Sequence, residues 1–136
     1  MSAMSNYLEK ALNDHVLGGP DYNRAGTVYF ALFTGVTDGD ANSVTQVSGG
    51  SYARAAVTNN STNFPGASLG SGSKSNATQI VFPTATASWG TVTHWGVYDA
   101  PTGGNLLYWG ELLLPRTIGS GDTPRFNSGD FSIAFA

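Results

Sequence analysis

The stretch from residue 91 to residue 114 constrains this chain most. Residues 91–99 are rich in β-branched and aromatic side chains, and residues 105–114 form a second apolar run. Between them lies Ala100-Pro101-Thr102-Gly103-Gly104. Pro fixes φ and Gly reaches positive φ, so these five residues read as a turn and the two runs as an antiparallel hairpin. Strand alternation is expected to put Thr91, Thr93, Trp95 and Val97 on one face and Val92, His94, Gly96 and Tyr98 on the other.

Other short runs provide the neighbours. Residues 27–34 (Thr-Val-Tyr-Phe-Ala-Leu-Phe-Thr) sit between Gly26 and Gly35 and are apolar on both alternating faces, as a central strand covered on both sides would be. Residues 52–58 are a weaker strand candidate because of their alanines. Ile80-Val81-Phe82 ends at Pro83, and Thr117-Ile118 and Arg125-Phe126 are short pieces around Gly119-Ser120-Gly121-Asp122. Phe131, Ile133 and Phe135 alternate with Ser132 and Ala134, and are expected to face inward with Val28, Phe30 and Leu32. Residues 59–79, rich in Asn, Ser, Gly and Thr, read as a long surface loop.

One helix is expected, at about residues 5–17. Leu8, Leu12 and Val16 recur at i, i+4 and i+8, flanked by Tyr7, Ala11 and His15. Ser5 or Asn6 is placed to cap it, with Glu9 three residues after Asn6, and Gly18-Gly19-Pro20 stops it. The fold expected is mainly β: a compact antiparallel β-sandwich or small barrel with one N-terminal α-helix and strands from about 27 to 136. A length of 136 residues fits one domain, 1–136.

Composition narrows the function. Charged residues are 11% of the chain, against about 25% in an average protein. The net charge is −3, with no basic stripe to neutralise phosphates, so no nucleic-acid partner is expected. No window approaches 18 consecutive apolar residues, so no membrane span is expected, and the opening ten residues lack the pattern of a targeting segment. The sequons at Asn59, Asn60 and Asn76 are read as accidents of composition. The chain has no cysteine, hence no disulfide, thiolate metal site or thiol nucleophile.

Catalytic constellations are weak. His15 and His94 are the only histidines and no metal-ligand spacing joins them, so each is read as a packed or hydrogen-bonded side chain. Residues 66–75 resemble a phosphate loop only superficially, because Ser73 stands where a glycine must precede the Lys-Ser pair. Asp38 and Asp40 flank Gly39 in a turn without the remaining ligands of a calcium loop. Glu111 is the one carboxylate in an apolar run, and an ion pair with Arg116 is the expected use for it. No nucleophile elbow is present. The expectation is therefore a protein with no catalytic residue, no metal and no cofactor.

Trp89, Trp95, Tyr98, Tyr108 and Trp109 form a dense aromatic group. They admit two readings: a platform for sugar rings, or core and interface packing. Packing is preferred, because large aromatics supply most burial. With Tyr7, Leu8 and Leu12 from the helix, they are the candidate interface and packing residues.

Several blocks carry a resemblance. They are Tyr7-Leu8-Glu9-Lys10-Ala11-Leu12-Asn13-Asp14-His15-Val16-Leu17-Gly18-Gly19, residues 28–34, residues 45–56 (Thr-Gln-Val-Ser-Gly-Gly-Ser-Tyr-Ala-Arg-Ala-Ala), residues 82–96 and residues 103–110. Together they resemble a family of small tailed-phage virion proteins, commonly labelled tail fibre protein and including capsid cement (decoration) proteins. The resemblance implies a non-enzymatic virion protein. The role expected from it is a cement protein on the outside of the head, a homotrimer clamping neighbouring copies of the major capsid protein. A compact chain without heptads or shaft repeats favours decoration over a fibre shaft. A tail or fibre component is the first alternative, and a carbohydrate-binding host-attachment module the second.

Overall fold

The computed structural model describes residues 2–67 and 72–133. β1 (Ser2–Met4) leads into α1 (Asn6–Val16), followed by β2 (Thr27–Asp38), β3 (Ser43–Gln46) and β4 (Ala55–Thr58). β5 (Lys74–Ser75) and β6 (Ile80–Val81) precede the hairpin of β7 (Gly90–Tyr98) and β8 (Leu106–Ile118). β9 (Arg125–Phe126) and β10 (Ser132–Ile133) follow. The main sheet runs β1-β8-β7-β2-β3, with β4 also paired to β2, and every pairing is antiparallel. β4 and β3 share one edge of β2 end to end, β4 on residues 27–30 and β3 on residues 33–38. Two small antiparallel ladders, β5–β10 and β6–β9, lie outside this sheet. The chain is mainly β with one helix, and its sheets do not close, so of the two expected forms it is the sandwich that fits and not the barrel.

β2 shows why the sheet is central. Val28, Phe30 and Leu32 enter the larger core cluster, and Ala31 and Phe33 enter the smaller one with Tyr98 and Leu106. Both faces are covered, as the doubly apolar pattern required. Gly35 does not end the strand, because β3 pairs through it to Asp38 across two irregularities in the ladder. Residues 52–54, assigned by sequence to the following strand, precede it, and β4 starts at Ala55.

The alternation expected for β7 holds only in part. Val92 joins Trp95 and Val97 in the larger cluster, three residues from Trp95, where strict alternation would place it on the opposite face. The cause is a break in register between Val92 and His94, which resets the phase of the strand.

α1 is capped by Ser5, whose Oγ accepts from the Leu8 N–H at 3.2 Å. The same hydroxyl donates to the Leu106 carbonyl of β8, and the Ser5 N–H donates to the Leu107 carbonyl at 2.9 Å. Leu8 is buried and Leu12 half-buried, but Val16 and Leu17 are 72% and 80% exposed. The apolar stripe thus serves two turns, and no layer covers the last one.

The stretch 59–79 is less free than expected. Asn76 is 2% exposed, and its amide donates to the Thr78 and Asn127 carbonyls at 2.8 and 2.9 Å. Its side-chain oxygen accepts from the Phe131 N–H at 3.0 Å, which ties the loop to the C-terminal strand region. Phe131 faces inward as expected, edge-on to Phe30 at 4.8 Å, and Ile133 lies in β10. Phe135 lies outside the described residues.

Candidate interaction surface

β7 and β8 do not use equal numbers of residues. Val92 pairs with Arg116 and His94 with Glu111, so Thr93 alone faces Leu112, Leu113, Leu114 and Pro115. The four residues bulge from the ladder. Leu112 stays half-buried against the larger core, while Leu113 is 98% and Leu114 68% exposed. Sequence reasoning ended this strand at Leu114 and missed the bulge. Three leucines in a row followed by a proline break the alternation of a half-buried strand, and proline within a strand marks an edge or a bulge. On the outer side of β8, β1 pairs only with Tyr108, Trp109 and Gly110.

A groove of about 1120 Å³ lies beside the bulge. Leu112, Leu113 and Leu114 line it on one side, and it reaches the buried Phe82, Val92, Trp95 and Phe131 of the core. Arg116, Asp122, Arg125 and Asp130 also line it. Asp122 and Asp130 are engaged by the Gly119 and Asn127 N–H groups at 2.8 and 3.0 Å. Among the described residues neither arginine forms an ion pair.

The aromatic group is divided between the two core clusters. Trp89 and Trp95 are buried in the larger one, with Tyr108 packed against it. Tyr98 is buried in the smaller one, with Trp109 packed against it. Trp89 donates to the Gly50 carbonyl at 2.9 Å and stands edge-on to Tyr52 at 5.3 Å. Trp95 stands edge-on to Phe131 at 4.6 Å. The Tyr98 hydroxyl donates to Asn42 Oδ1 at 2.8 Å, and the Arg54 guanidinium lies 3.6 Å from its ring centroid. Arg54 also donates to the Ala100 and Gly103 carbonyls, which pins the hairpin turn, and burial lowers its pKa. Trp109 donates to Asp40 Oδ1 at 2.9 Å. The five rings therefore do not present one platform for a sugar. Of the helix candidates, Leu8 packs inward, Leu12 partly so, and Tyr7 is 43% exposed.

The titratable groups are used locally. His15 Nδ1 accepts from the Tyr22 N–H at 3.0 Å. His94 Nδ1 lies 2.8 Å from Thr93 Oγ1, and Nε2 lies 3.6 Å from Glu111. Glu111 thus lies against His94, and the expected pair with Arg116 does not form because the bulge intervenes. Its side chain is 70% exposed, so the carboxylate is not in an apolar setting. Asp38 accepts from the Ala41 N–H at 3.3 Å, as a turn residue does. Of the glycine-rich stretch, residues 68–71 lie outside the described residues, and Lys74 donates to the Phe64 carbonyl at 3.3 Å. Burial pushes the Tyr52 phenol up to about 12; its hydroxyl accepts from the Leu32 N–H and donates to Gln46. Among the described residues no three His, Asp or Glu side chains are grouped to hold a metal ion.

Comparison with known proteins adds one finding. The family model described as Podophage GP4 fiber I protein gp80 matches residues 3–134. No curated protein matches the chain.

Proposed function

This chain belongs to the Podophage GP4 fiber I protein gp80 family, and from that membership we propose that it is a non-enzymatic building block of a tail fibre, acting by packing against other virion proteins. Membership makes it a phage virion structural protein; the seat in a tail fibre and the absence of catalysis are our reading. The observation that carries it is the extent of the match. Residues 3–134 take in α1, both small ladders and all of the main sheet but Ser2, so the match covers the described fold and not one piece of it. The absence of catalysis is supported by the local use of both histidines and by the lack of grouped carboxylates among the described residues.

A second reading is the head-exterior cement protein that contacts the major capsid protein as a homotrimer. One observation favours it: the described elements are one helix and antiparallel strands gathered on two core clusters, with no heptad or shaft repeat among them. Immunogold labelling of intact particles separates the two. Gold confined to the tail is the expected result, and gold over the head surface would overturn the fibre reading in favour of decoration.

A further inference from the structure

We infer that a small polar pocket, where the start of α1 meets the 39–42 turn and the β7–β8 connection, binds a single pyranose ring of a neutral saccharide. The pocket holds about 170 Å³. A cavity of about 150 Å³ takes one benzene ring, so this one has room for one six-membered ring. Tyr7, Asp40, Asn42 and Asn105 line it. The three polar side chains are each held by one atom and offer the other. Asp40 Oδ1 accepts from Trp109 Nε1 at 2.9 Å, and Oδ2 is left as an acceptor. Asn42 Oδ1 accepts from the Tyr98 hydroxyl at 2.8 Å, and its NH2 is left as a donor. Asn105 Nδ2 donates to Asp99 at 3.0 Å, and Oδ1 is left as an acceptor. Among the described residues these three remaining atoms have no partner. Tyr98 and Trp109 belong to the smaller core cluster, and the Asn6 N–H donates to the Asp40 carbonyl at 2.8 Å. The free atoms are therefore set in place before any ligand arrives.

The donor set selects the ligand. A sugar hydroxyl both donates and accepts, and a carboxylate oxygen beside an amide NH2 answers both halves of it. Asp40 is the one charged residue of the lining, and no cation stands with it there. A phosphate or carboxylate ligand would meet that charge unpaired. A divalent cation would find one carboxylate where it takes six or more oxygens. Tyr7, 43% exposed, supplies an aromatic ring for the C–H face of a sugar. It is not one of the five rings divided between the core clusters, so the pocket does not depend on their forming a platform. The inference goes beyond the building-block reading and does not depend on where in the virion the chain sits.

The test titrates the purified chain with glucose, galactose, mannose, rhamnose, N-acetylglucosamine and glucuronate, read by saturation-transfer NMR of the sugar. At least one neutral sugar is expected to bind, and glucuronate more weakly. Two substitutions keep the bond to the core and invert the free atom. Asn42→Asp keeps Oδ1 for Tyr98 and tolerates the positive φ of residue 42, but its second oxygen cannot donate. Asp40→Asn keeps Oδ1 for Trp109 and turns the free acceptor into a donor. Each is expected to weaken binding about tenfold at an unchanged melting temperature. Tyr7→Ala, at an exposed side chain, is expected to weaken it too, and carries the test if either of the others fails to fold. Silence from every neutral sugar overturns the inference. So does binding that is unchanged in the variants that fold, which would put the sugar elsewhere. Glucuronate bound as tightly as the neutral sugars would also overturn it. Those outcomes leave the gold labelling as it stands, and gold on the head leaves the titration as it stands.

Discussion

At the turn end of the β7–β8 hairpin, Tyr98 and Leu106 are 3% and 1% exposed; in the bulge midway along it Leu113 is 98% exposed, although the ladder resumes beyond the bulge and ends at the buried Ile118. Turn and bulge are both rich in apolar residues, and they differ in what is bonded to them. The turn end is fixed by polar contacts from other elements. Ser5 of the helix cap holds the Leu106 and Leu107 carbonyls, and Arg54 holds the Ala100 and Gly103 carbonyls while lying over Tyr98. Asp99 accepts from the backbone and side-chain N–H groups of Asn105 at 2.8 and 3.0 Å. At the bulge the chain leaves the ladder before rejoining it at Arg116, and the leucines of its exposed lip, which would gain about 1.5–3 kcal/mol each by burial, stay in water. Apolar residues are covered where polar anchors bring a second layer over them, and a missing layer leaves surface for another molecule.

The largest effect is expected just below the exposed lip. Phe131 is 4% exposed, edge-on to both Trp95 and Phe30, and its N–H is held by Asn76. Phe131→Ala is expected to lower stability by about 3–5 kcal/mol, measured by urea unfolding. A loss below about 1 kcal/mol would mean that the floor of the groove is as loosely held as its lip.

The turn end is tested by adding one methyl group. Gly96 lies where a Cβ would stand 2.5 Å from Phe33 Cζ and 2.9 Å from Leu106 Cδ1. Gly96→Ala is expected to cost about 1–3 kcal/mol through overpacking. Gly119→Ala is the control, because the nearest atom its Cβ would meet is Asp122 Oδ2 at 3.7 Å, and a change within about 0.5 kcal/mol is expected. Equal losses in the two variants would show that the turn end is not tightly packed.

The contrast also explains which features were legible in the sequence. The hairpin, the helix and the inward-facing Phe131 follow from local periodicity and turn chemistry, which the neighbouring residues decide. The break at Thr93 does not, because Leu-Leu-Leu-Pro marks an irregularity in β8 while the residue of β7 that faces it depends on the pairing of both strands. That mismatch shifted Val92 to the other face and separated Glu111 from Arg116. Asn76 reads as loop from sequence because Asn favours turns; its burial depends on Asn127 and Phe131, more than fifty residues away. The aromatic group was legible as packing, while its division between the two faces of a sheet required the sheet. The Leu-Leu-Leu-Pro run does break strand alternation, but which of its leucines stays in water depends on the layers around it and is seen only in the structure.

The smallest effect on the isolated fold is expected at the lip itself. Leu113→Asp replaces a side chain that is almost fully in water, so it removes little packing and desolvates no charge. In dilute solution its unfolding free energy is expected to stay within about 0.5 kcal/mol of the wild type. Concentration then separates a lip from an idle surface. Anything that binds only the folded chain stabilises it by mass action, and a second copy seated on the lip would be such a ligand. The wild-type melting temperature is therefore expected to rise with protein concentration while that of Leu113→Asp stays flat. Parallel, concentration-independent melting of both would mean that the turn and the bulge of the hairpin differ in exposure alone. A loss above about 1 kcal/mol in dilute solution would place Leu113 in a packed position within one molecule, and the comparison would fall at its exposed end.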